Sequence, residues 1–114
     1  MRYLLLIYGN ETALRNLPRE ATGEIRGSFL AYTEALKKAG AYVGNNRLRP
    51  TSDARTVRAP GDKVSVLDGP FAETKEQLGG YYLIDVPDLE AALSWAKRCP
   101  AAAHGSVEVR PVWA

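Results

Sequence analysis

The stretch "GGYYLIDVPDLEAALSWAKRCP", residues 79–100, decides the fold because it joins a strand directly to a helix. Gly80–Val86 is a short apolar run, which predicts a largely buried strand. Asp88 has the short acceptor side chain of a helix N-cap. The residues after it place one apolar stripe at helical spacing (Leu89, Ala92, Leu93 and Ala96), and the helix is predicted to end before Pro100.

Four further segments extend this pattern toward both ends of the chain. Tyr3–Tyr8 is a continuous apolar run, and Ser106–Val112 alternates between apolar and charged residues, so both predict strands. Pro18–Ala39 has the three- and four-residue spacing of an amphipathic helix, and Gly40 is a suitable stop. Ala41–Leu48 is a plausible strand. The predicted order is strand, helix, strand, strand, helix, strand.

A hairpin is predicted between the second and third of these strands. Arg55–Arg58 and Lys63–Leu67 flank the sequence "APGD", in which Pro60 and Gly61 suit the central positions of a type II turn. Without this insertion the element order is the split β-α-β arrangement. The predicted fold is therefore α+β, a ferredoxin-like protomer (βαββαβ) with an inserted β-hairpin.

The two most apolar strands predict a homodimer. The runs "YLLLIY" and "YYLIDV" are apolar at positions of both parities, so both faces of the sheet require a cover. Two helices can cover only one face of a four-stranded sheet. A second copy of the sheet is the simplest cover for the other face, which predicts pairing through the sheets.

Composition bounds the class of protein. The 114 residues predict a single domain over residues 1–114, and their 15 basic and 13 acidic side chains are mixed along the chain. No basic block predicts binding to nucleic acid. A single cysteine, Cys99, excludes an internal disulfide and is predicted to be structural. The N-terminal apolar run is too short to span a membrane, and we expect a cytoplasmic protein without a membrane partner.

Several chemistries lack their motifs. No glycine-rich segment has the spacing and lysine of a phosphate loop, and no dinucleotide fingerprint is present. No serine stands in a G-x-S-x-G elbow, and one histidine cannot supply the pair that commonly holds a catalytic zinc. We therefore expect neither a cofactor nor a metal.

Asp68 opens the turn-like segment "DGPF". It shares strand parity with Val64 and Val66, so it is expected on the face that those valines bury, where desolvation raises the pKa of a carboxyl group. In the alternative interpretation Asp68 only accepts backbone hydrogen bonds within a D-G turn. Phe71 is expected to anchor this loop in the core in either case.

His104 is the candidate base, because it is the one side chain whose unperturbed pKa lies near neutrality. If its loop and the DGPF turn meet, Asp68 orients His104 as a proton-transfer pair. Candidate substrate-binding side chains are Tyr81 as a hydrogen-bond donor, and Lys75 or Arg110 as the holder of an anion. Glu73 and Glu76 complete that candidate set, although a run such as "ETKEQ" is more often a solvated face.

The longest informative stretch resembles a known family. "DGPFAETKEQLGGYYLIDVPDLEAALSWAKRCPAA" followed by "HGSVEVRPV" is similar to the DGPF-domain branch of the YCII-related family, and the N-terminal "MRYLLLIYG" extends the similarity over nearly the whole chain. The resemblance implies a dimeric α+β barrel. It also implies a His–Asp pair in some relatives, activity on quinone- or muconate-like aromatic degradation products in a few, and frequent association with extracytoplasmic-function sigma factors.

Two functions from different classes follow as hypotheses. The first is a cofactor-independent small-molecule enzyme that uses His/Asp proton transfer, isomerase- or lyase-like, on an aromatic or unsaturated acidic compound. The second is a non-catalytic small-molecule-binding or regulatory module linked to a sigma factor. A dimeric scaffold with a vestigial pocket is a third alternative.

Overall fold

Six strands and three helices make up the chain in the computed structural model, which describes residues 1–114. In chain order they are β1 (Arg2–Gly9), α1 (Glu11–Arg15), α2 (Arg19–Lys38), β2 (Tyr42–Arg47), β3 (Arg55–Arg58), β4 (Ser65–Asp68), β5 (Gln77–Asp85), α3 (Leu89–Arg98) and β6 (Ser106–Pro111). Every predicted helix and strand is present within a few residues of its expected bounds. The five-residue helix α1 was not predicted.

The main sheet has the strand order β2-β5-β1-β6, and all its neighbouring strands are antiparallel. The N-terminal strand β1 lies inside the sheet and pairs with both β5 and β6. A strand in that position has no solvated edge, so its backbone N–H and C=O groups are paired on both sides within the sheet. This topology confirms the ferredoxin-like α+β fold.

Local signals account for the ends of the two long helices. Asp88 caps α3, since its carboxylate accepts a hydrogen bond from the Ala91 backbone N–H at 2.9 Å. After α2 the chain turns at Gly40, whose φ of 71° lies in the left-handed region that glycine adopts without steric cost. Neither of these helices, nor α1, is long and apolar enough to cross a membrane.

The core lies between the helices and one face of the main sheet. Leu5, Ile84 and Leu36 are fully buried there. The ring of Tyr32 on α2 meets the ring of Tyr82 edge-to-face, with centroids 5.2 Å apart, and the Tyr32 hydroxyl donates to the Trp95 carbonyl at 2.7 Å. Burial raises the pKa of Tyr32 well above its ordinary value, so its proton stays available for that bond.

The opposite face of the main sheet has no helix over it. Strand alternation places Leu4, Leu6 and Leu83 on this open sheet face, while their neighbours Leu5 and Ile84 are buried beneath the helices. The three leucines are half-buried within the sheet. The predicted imbalance between two apolar faces and one helical layer is therefore present.

The inserted hairpin leaves the main sheet. Strands β3 and β4 pair only with each other, with Val57 opposite Val66. The predicted turn type was wrong: the Lys63 N–H donates to the Pro60 carbonyl at 3.0 Å, which makes Gly61 and Asp62 the central pair. Both residues have positive φ, 53° and 70°, as in a type I′ turn, whose twist matches that of two paired strands.

The prediction that the valines of β4 bury one face was also wrong within this protomer. Val57, Val64 and Val66 are 63%, 69% and 60% exposed, because the hairpin projects away from the core. The projection is visible in the overall dimensions. The radius of gyration is 16.0 Å and the extents are 47 × 42 × 18 Å, whereas a compact domain of about 100 residues has a radius of gyration of about 13 Å.

Candidate functional site

A cavity of about 530 Å³ lies where α1 and α2 meet one end of the main sheet. The antiparallel register brings the end of β1, the end of β2 and the start of β5 to this same end, since Gly9 pairs with Gln77 and Arg47 pairs with Gly80. From α2, the side chains of Thr22, Ile25, Arg26 and Phe29 line the cavity. Their spacing places them on one face of the helix.

Two close backbone approaches form the walls of this cavity. A Cβ atom added at Gly80 would lie 2.8 Å from the Asn46 carbonyl oxygen, and one added at Gly105 would lie 2.0 Å from the Tyr8 carbonyl oxygen. Only glycine permits either contact. A bulge lies beside these glycines, because the register between β1 and β5 shifts opposite Gly79.

A hydrogen-bonded clasp that the sequence did not reveal closes one side of the cavity. The Glu11 carboxylate accepts from the Thr51 backbone N–H at 2.9 Å and from the Thr51 hydroxyl at 2.7 Å. The Glu11 backbone N–H donates to the Gln77 side-chain carbonyl at 2.9 Å. These bonds connect α1 to the start of β5 and to the segment that follows β2.

His104 lines the cavity, and its side chain is exposed to solvent. It ends the short 3-10 turn Pro100–Ala103, and its backbone N–H donates to the Ala101 carbonyl at 3.1 Å. The neighbouring Gly105 holds this turn against the end of β1. The loop before β6 therefore delivers His104 to the cavity, where an imidazole can exchange protons with a bound molecule.

Tyr81 and Tyr82 face opposite sides of β5. Tyr82 is buried beneath α2 and shares a 2.7 Å hydrogen bond between its hydroxyl and that of Thr33. Tyr81 is half-buried, also lines the cavity, and accepts a 2.8 Å hydrogen bond from the Asn46 side-chain amide. Its own hydroxyl hydrogen is left to donate elsewhere. The register pairs Tyr81 with Leu6, so its ring lies on the open sheet face and borders the cavity that His104 lines from that side.

Asp68 does not line that cavity. It lies at the end of β4 with 91% of its side chain exposed, and its Oδ1 is 3.0 Å from the Arg55 Nε. The expectation that Phe71 anchors this loop in the core was wrong: Phe71 is 78% exposed and has the Arg58 guanidinium over its ring. Both outcomes have one reason, which is that the hairpin pairs only with itself.

The remaining candidate side chains also lie outside the cavity. Glu73 and Lys75 are exposed in the loop after the DGPF turn, and Glu76 accepts a 2.6 Å hydrogen bond from the Ser106 hydroxyl. Arg110 pairs with Glu108 two residues away on the same face of β6. A substrate-binding role for any of the four stays a prediction.

Three arginines that were not among the predicted site residues also line the cavity: Arg15 from α1, Arg26 from α2 and Arg47 from β2. The helical spacing of Arg26 with Ile25 and Phe29 was the available signal, because it places Arg26 beside the apolar stripe. No group of three or more His, Cys, Asp or Glu side chains in the structure is placed to hold a metal ion.

Comparison with known proteins agrees with this architecture. A family model described as the YCII-related domain matches residues 1–114. The chain belongs to the YCII-related family. A relative from Rhizobium meliloti (strain 1021), the uncharacterized protein R00369, is 39% identical over 114 residues, which cover 98% of this chain and 92% of that protein.

A solved structure shares the fold of this YCII-related chain. It is the 5-chloro-2-hydroxyhydroquinone dehydrochlorinase TftG from Burkholderia phenoliruptrix AC1100 in complex with 2,5-dihydroxybenzoquinone. The TM-score is 0.56 with 16% sequence identity, over 99% of this chain and 94% of the other. At that identity the likeness establishes the fold.

Proposed function

We propose that this YCII-related chain is a cofactor-independent enzyme that transfers protons on a small aromatic or unsaturated acidic compound. The observation that carries the proposal is the position of His104, the one histidine of the chain, on a partly apolar cavity. A cavity of about 530 Å³ lies within the range of roughly 300–1,000 Å³ that is typical of small-molecule sites. A base on a surface without such a cavity has no means to orient a substrate.

His104 is the proposed base. Its neutral imidazole takes a proton from a carbon or hydroxyl of the bound compound, and the electron pair left behind forms a new double bond. In a lyase-like reaction that pair expels a leaving group from the adjacent position. In an isomerisation the double bond shifts, and the imidazolium returns the proton at another carbon. Tyr81, which borders the cavity from the open sheet face, is proposed as a hydrogen-bond donor to an oxygen of a compound that extends to that face.

The related fold supports this class of reaction. The structural neighbour is named a dehydrochlorinase and binds a dihydroxybenzoquinone. Dehydrochlorination is an elimination that removes a proton together with a chloride, which is the lyase-like alternative above. Because the sequences are 16% identical, this support extends to the class of compound and not to individual residues.

Asp68 can still form the proposed acid–base pair with His104 if the two residues belong to different subunits. It does not line the His104 cavity of its own protomer, but the exposed hairpin carries it outward. A second copy can therefore present Asp68 to His104. The paired side chains then belong to different subunits, and orientation of the imidazole depends on the dimer.

A second candidate function is a non-catalytic small-molecule-binding or regulatory module, with a functional link to an extracytoplasmic-function sigma factor. The observation that favours it is the absence of an orienting carboxylate beside His104 within the protomer. Glu11 is the one acidic residue that lines the cavity, and both of its oxygens are bonded to Thr51. In this alternative the cavity binds its ligand without changing it.

We also propose that two copies pair through the open sheet face defined above. Half-buried Leu4, Leu6 and Leu83 form an apolar strip across neighbouring strands with no helix above it. A second copy of the same face supplies a matching apolar strip, since a two-fold axis presents identical surfaces to each other.

The test of function is deuterium exchange and product formation in D2O, followed by proton NMR with quinones, muconates and hydroxybenzoates as candidate compounds. We expect turnover by the wild-type protein and a decrease of about 10²- to 10⁴-fold in His104→Gln. Ligand-detected NMR should show binding retained in that variant. Ala103→Gln, which introduces the same amide at the preceding exposed position, is the matched control and should keep full activity.

Binding without turnover by the wild-type protein, with equal binding by His104→Gln, would rule out the enzyme and favour the binding module. Unchanged turnover in His104→Gln would reject His104 as the base. An equal loss of turnover in Ala103→Gln would assign the effect to the loop and not to the imidazole.

A further inference from the structure

Three elements each contribute one arginine to the His104 cavity. Arg15 comes from α1, Arg26 from α2 and Arg47 from β2. The five ion pairs of the structure include none of them. Three guanidinium groups that approach one cavity from separate elements, each without a carboxylate partner, create a positive potential over that cavity.

The acidic residue that lines the cavity already has hydrogen-bond partners within the protein. Glu11 is the one carboxylate among the lining residues, and Thr51 bonds to both of its oxygens. The clasp thus holds Glu11 against the segment after β2. The charge balance of the lining residues is three guanidinium groups against one engaged carboxylate, with His104 in addition.

The rest of the lining limits the shape of an anion that suits this charge. Ile7, Ile25 and Phe29 contribute apolar side chains beside the arginines. An inorganic anion contacts the arginines but leaves this apolar surface in water. A molecule with a flat apolar body and one negative end satisfies both parts of the lining at once.

We infer that the cavity selects aromatic carboxylates, and that Arg26 and Arg47 are the residues that hold the carboxylate. This inference rests on the proposed function, for which it defines the substrate class and replaces Lys75 and Arg110 as the anion-binding side chains. A guanidinium group binds a carboxylate through two parallel hydrogen bonds, which fixes the direction of the ring as well as its charge. The ring then lies along Ile25 and Phe29.

The test compares gentisate with gentisamide, which has the same ring and shape but no charge. Titration calorimetry at low ionic strength should show gentisate bound at least about tenfold more tightly, a ratio equivalent to about 1.4 kcal/mol. Added salt should reduce that ratio, because screening weakens attraction between exposed charges. The double variant Arg26→Met, Arg47→Met should bind both compounds with the affinity of the wild type for gentisamide.

Two controls separate this inference from the proposed site itself. Arg19→Met removes an exposed arginine from the same helix outside the cavity, and it should keep the full preference for gentisate. Unchanged gentisamide binding shows that the double variant is folded. Equal affinity of the wild type for both compounds, or a preference that survives in the double variant, would overturn the inference while the site stands. Failure of both compounds to bind the wild type would overturn the site and the inference together.

Discussion

Gly105 shows how one residue without a side chain positions another that has one. Its Cα lies so close to β1 that a Cβ atom would stand 2.0 Å from the Tyr8 carbonyl oxygen. Its backbone N–H donates to the Ala101 carbonyl at 2.8 Å. Gly105 thus holds the turn that ends at His104 against the sheet. The backbone position of His104 is fixed as a result, and with it the point from which the imidazole extends.

Gly105→Ala should lower the free energy of unfolding by about 2 kcal/mol or more, since backbone on both sides must move to relieve the clash. Gly23→Ala is the matched control, because nothing lies within 4 Å of a Cβ atom at that helical position. It should stabilise the protein by up to about 1 kcal/mol through helix propensity. Urea denaturation followed by circular dichroism measures both. Equal effects of the two changes would contradict the assigned backbone contact.

Cys99 gives a second prediction at this scale. Its side chain is 2% exposed, and burial raises the pKa of the thiol. Because the thiolate is the reactive form, a raised pKa and burial both slow its reaction with disulfide reagents. Native protein at pH 8 should react orders of magnitude more slowly than protein in denaturant. A native rate equal to that of the denatured chain would show that Cys99 is accessible.

The elements differ in how well their sequences predicted them. α3 and β5 were predicted because capping, periodicity and burial agree at Asp88 and along Gly80–Val86. α1 was missed because five residues present too little periodicity to recognise. The hairpin was predicted but its faces were assigned wrongly, since alternation shows that Val64 and Val66 share a face and not what covers that face.

The candidate site also contains residues that the sequence indicated and residues that it did not. His104 and Tyr81 were chosen because their residue types carry chemistry, and both line the cavity, while a role for either stays a prediction. Asp68 was expected beside His104, but the direction in which a hairpin leaves a sheet is not encoded in its strand pattern. Arg26 was missed because one basic residue on an amphipathic helix has the appearance of a solvated position.

The clasp between α1 and the segment after β2 predicts a measurable coupling. Glu11→Ala should cost about 1–3 kcal/mol of stability, because two hydrogen bonds to a partly buried charged group are lost. Thr51→Val should cost less, and the double variant should show a coupling energy of about 1 kcal/mol. Glu20→Ala is the control, since Glu20 also lies in the first turn of a helix but forms none of these bonds. Additive effects of Glu11→Ala and Thr51→Val would reject the clasp.

For the whole molecule, the open sheet face and the projecting hairpin both indicate that the protomer is incomplete alone. The sheet has one helical layer, and the extents of 47 × 42 × 18 Å describe a flat body. A flat body exposes more surface than a compact one of equal mass, so less apolar area is buried on folding. Association of two such bodies, as proposed above, would bury the exposed apolar area of the open sheet face.

Sedimentation should therefore show a dimer at micromolar concentration. The interface of that dimer is expected to bury a total area of at least about 1,200–2,000 Å², as specific interfaces do. Leu6→Asp places a charge on the open sheet face and should yield monomers. Leu30→Asp is the control, since Leu30 is 65% exposed on α2 and faces away from the sheet contact. A stable wild-type monomer, or dissociation by Leu30→Asp alone, would contradict pairing through the sheet.

The internal position of β1 also determines when the protein can fold. β1 is synthesised before both of its neighbours, Gln77–Asp85 and Ser106–Pro111. A nascent chain emerging from the ribosome therefore carries an apolar strand while the intervening residues are synthesised, before either edge can be paired. Such a high contact order slows folding, because distant segments must meet before any pairing compensates for the lost entropy. Until Ser106–Pro111 has been synthesised, one edge of β1 has no partner strand within this chain.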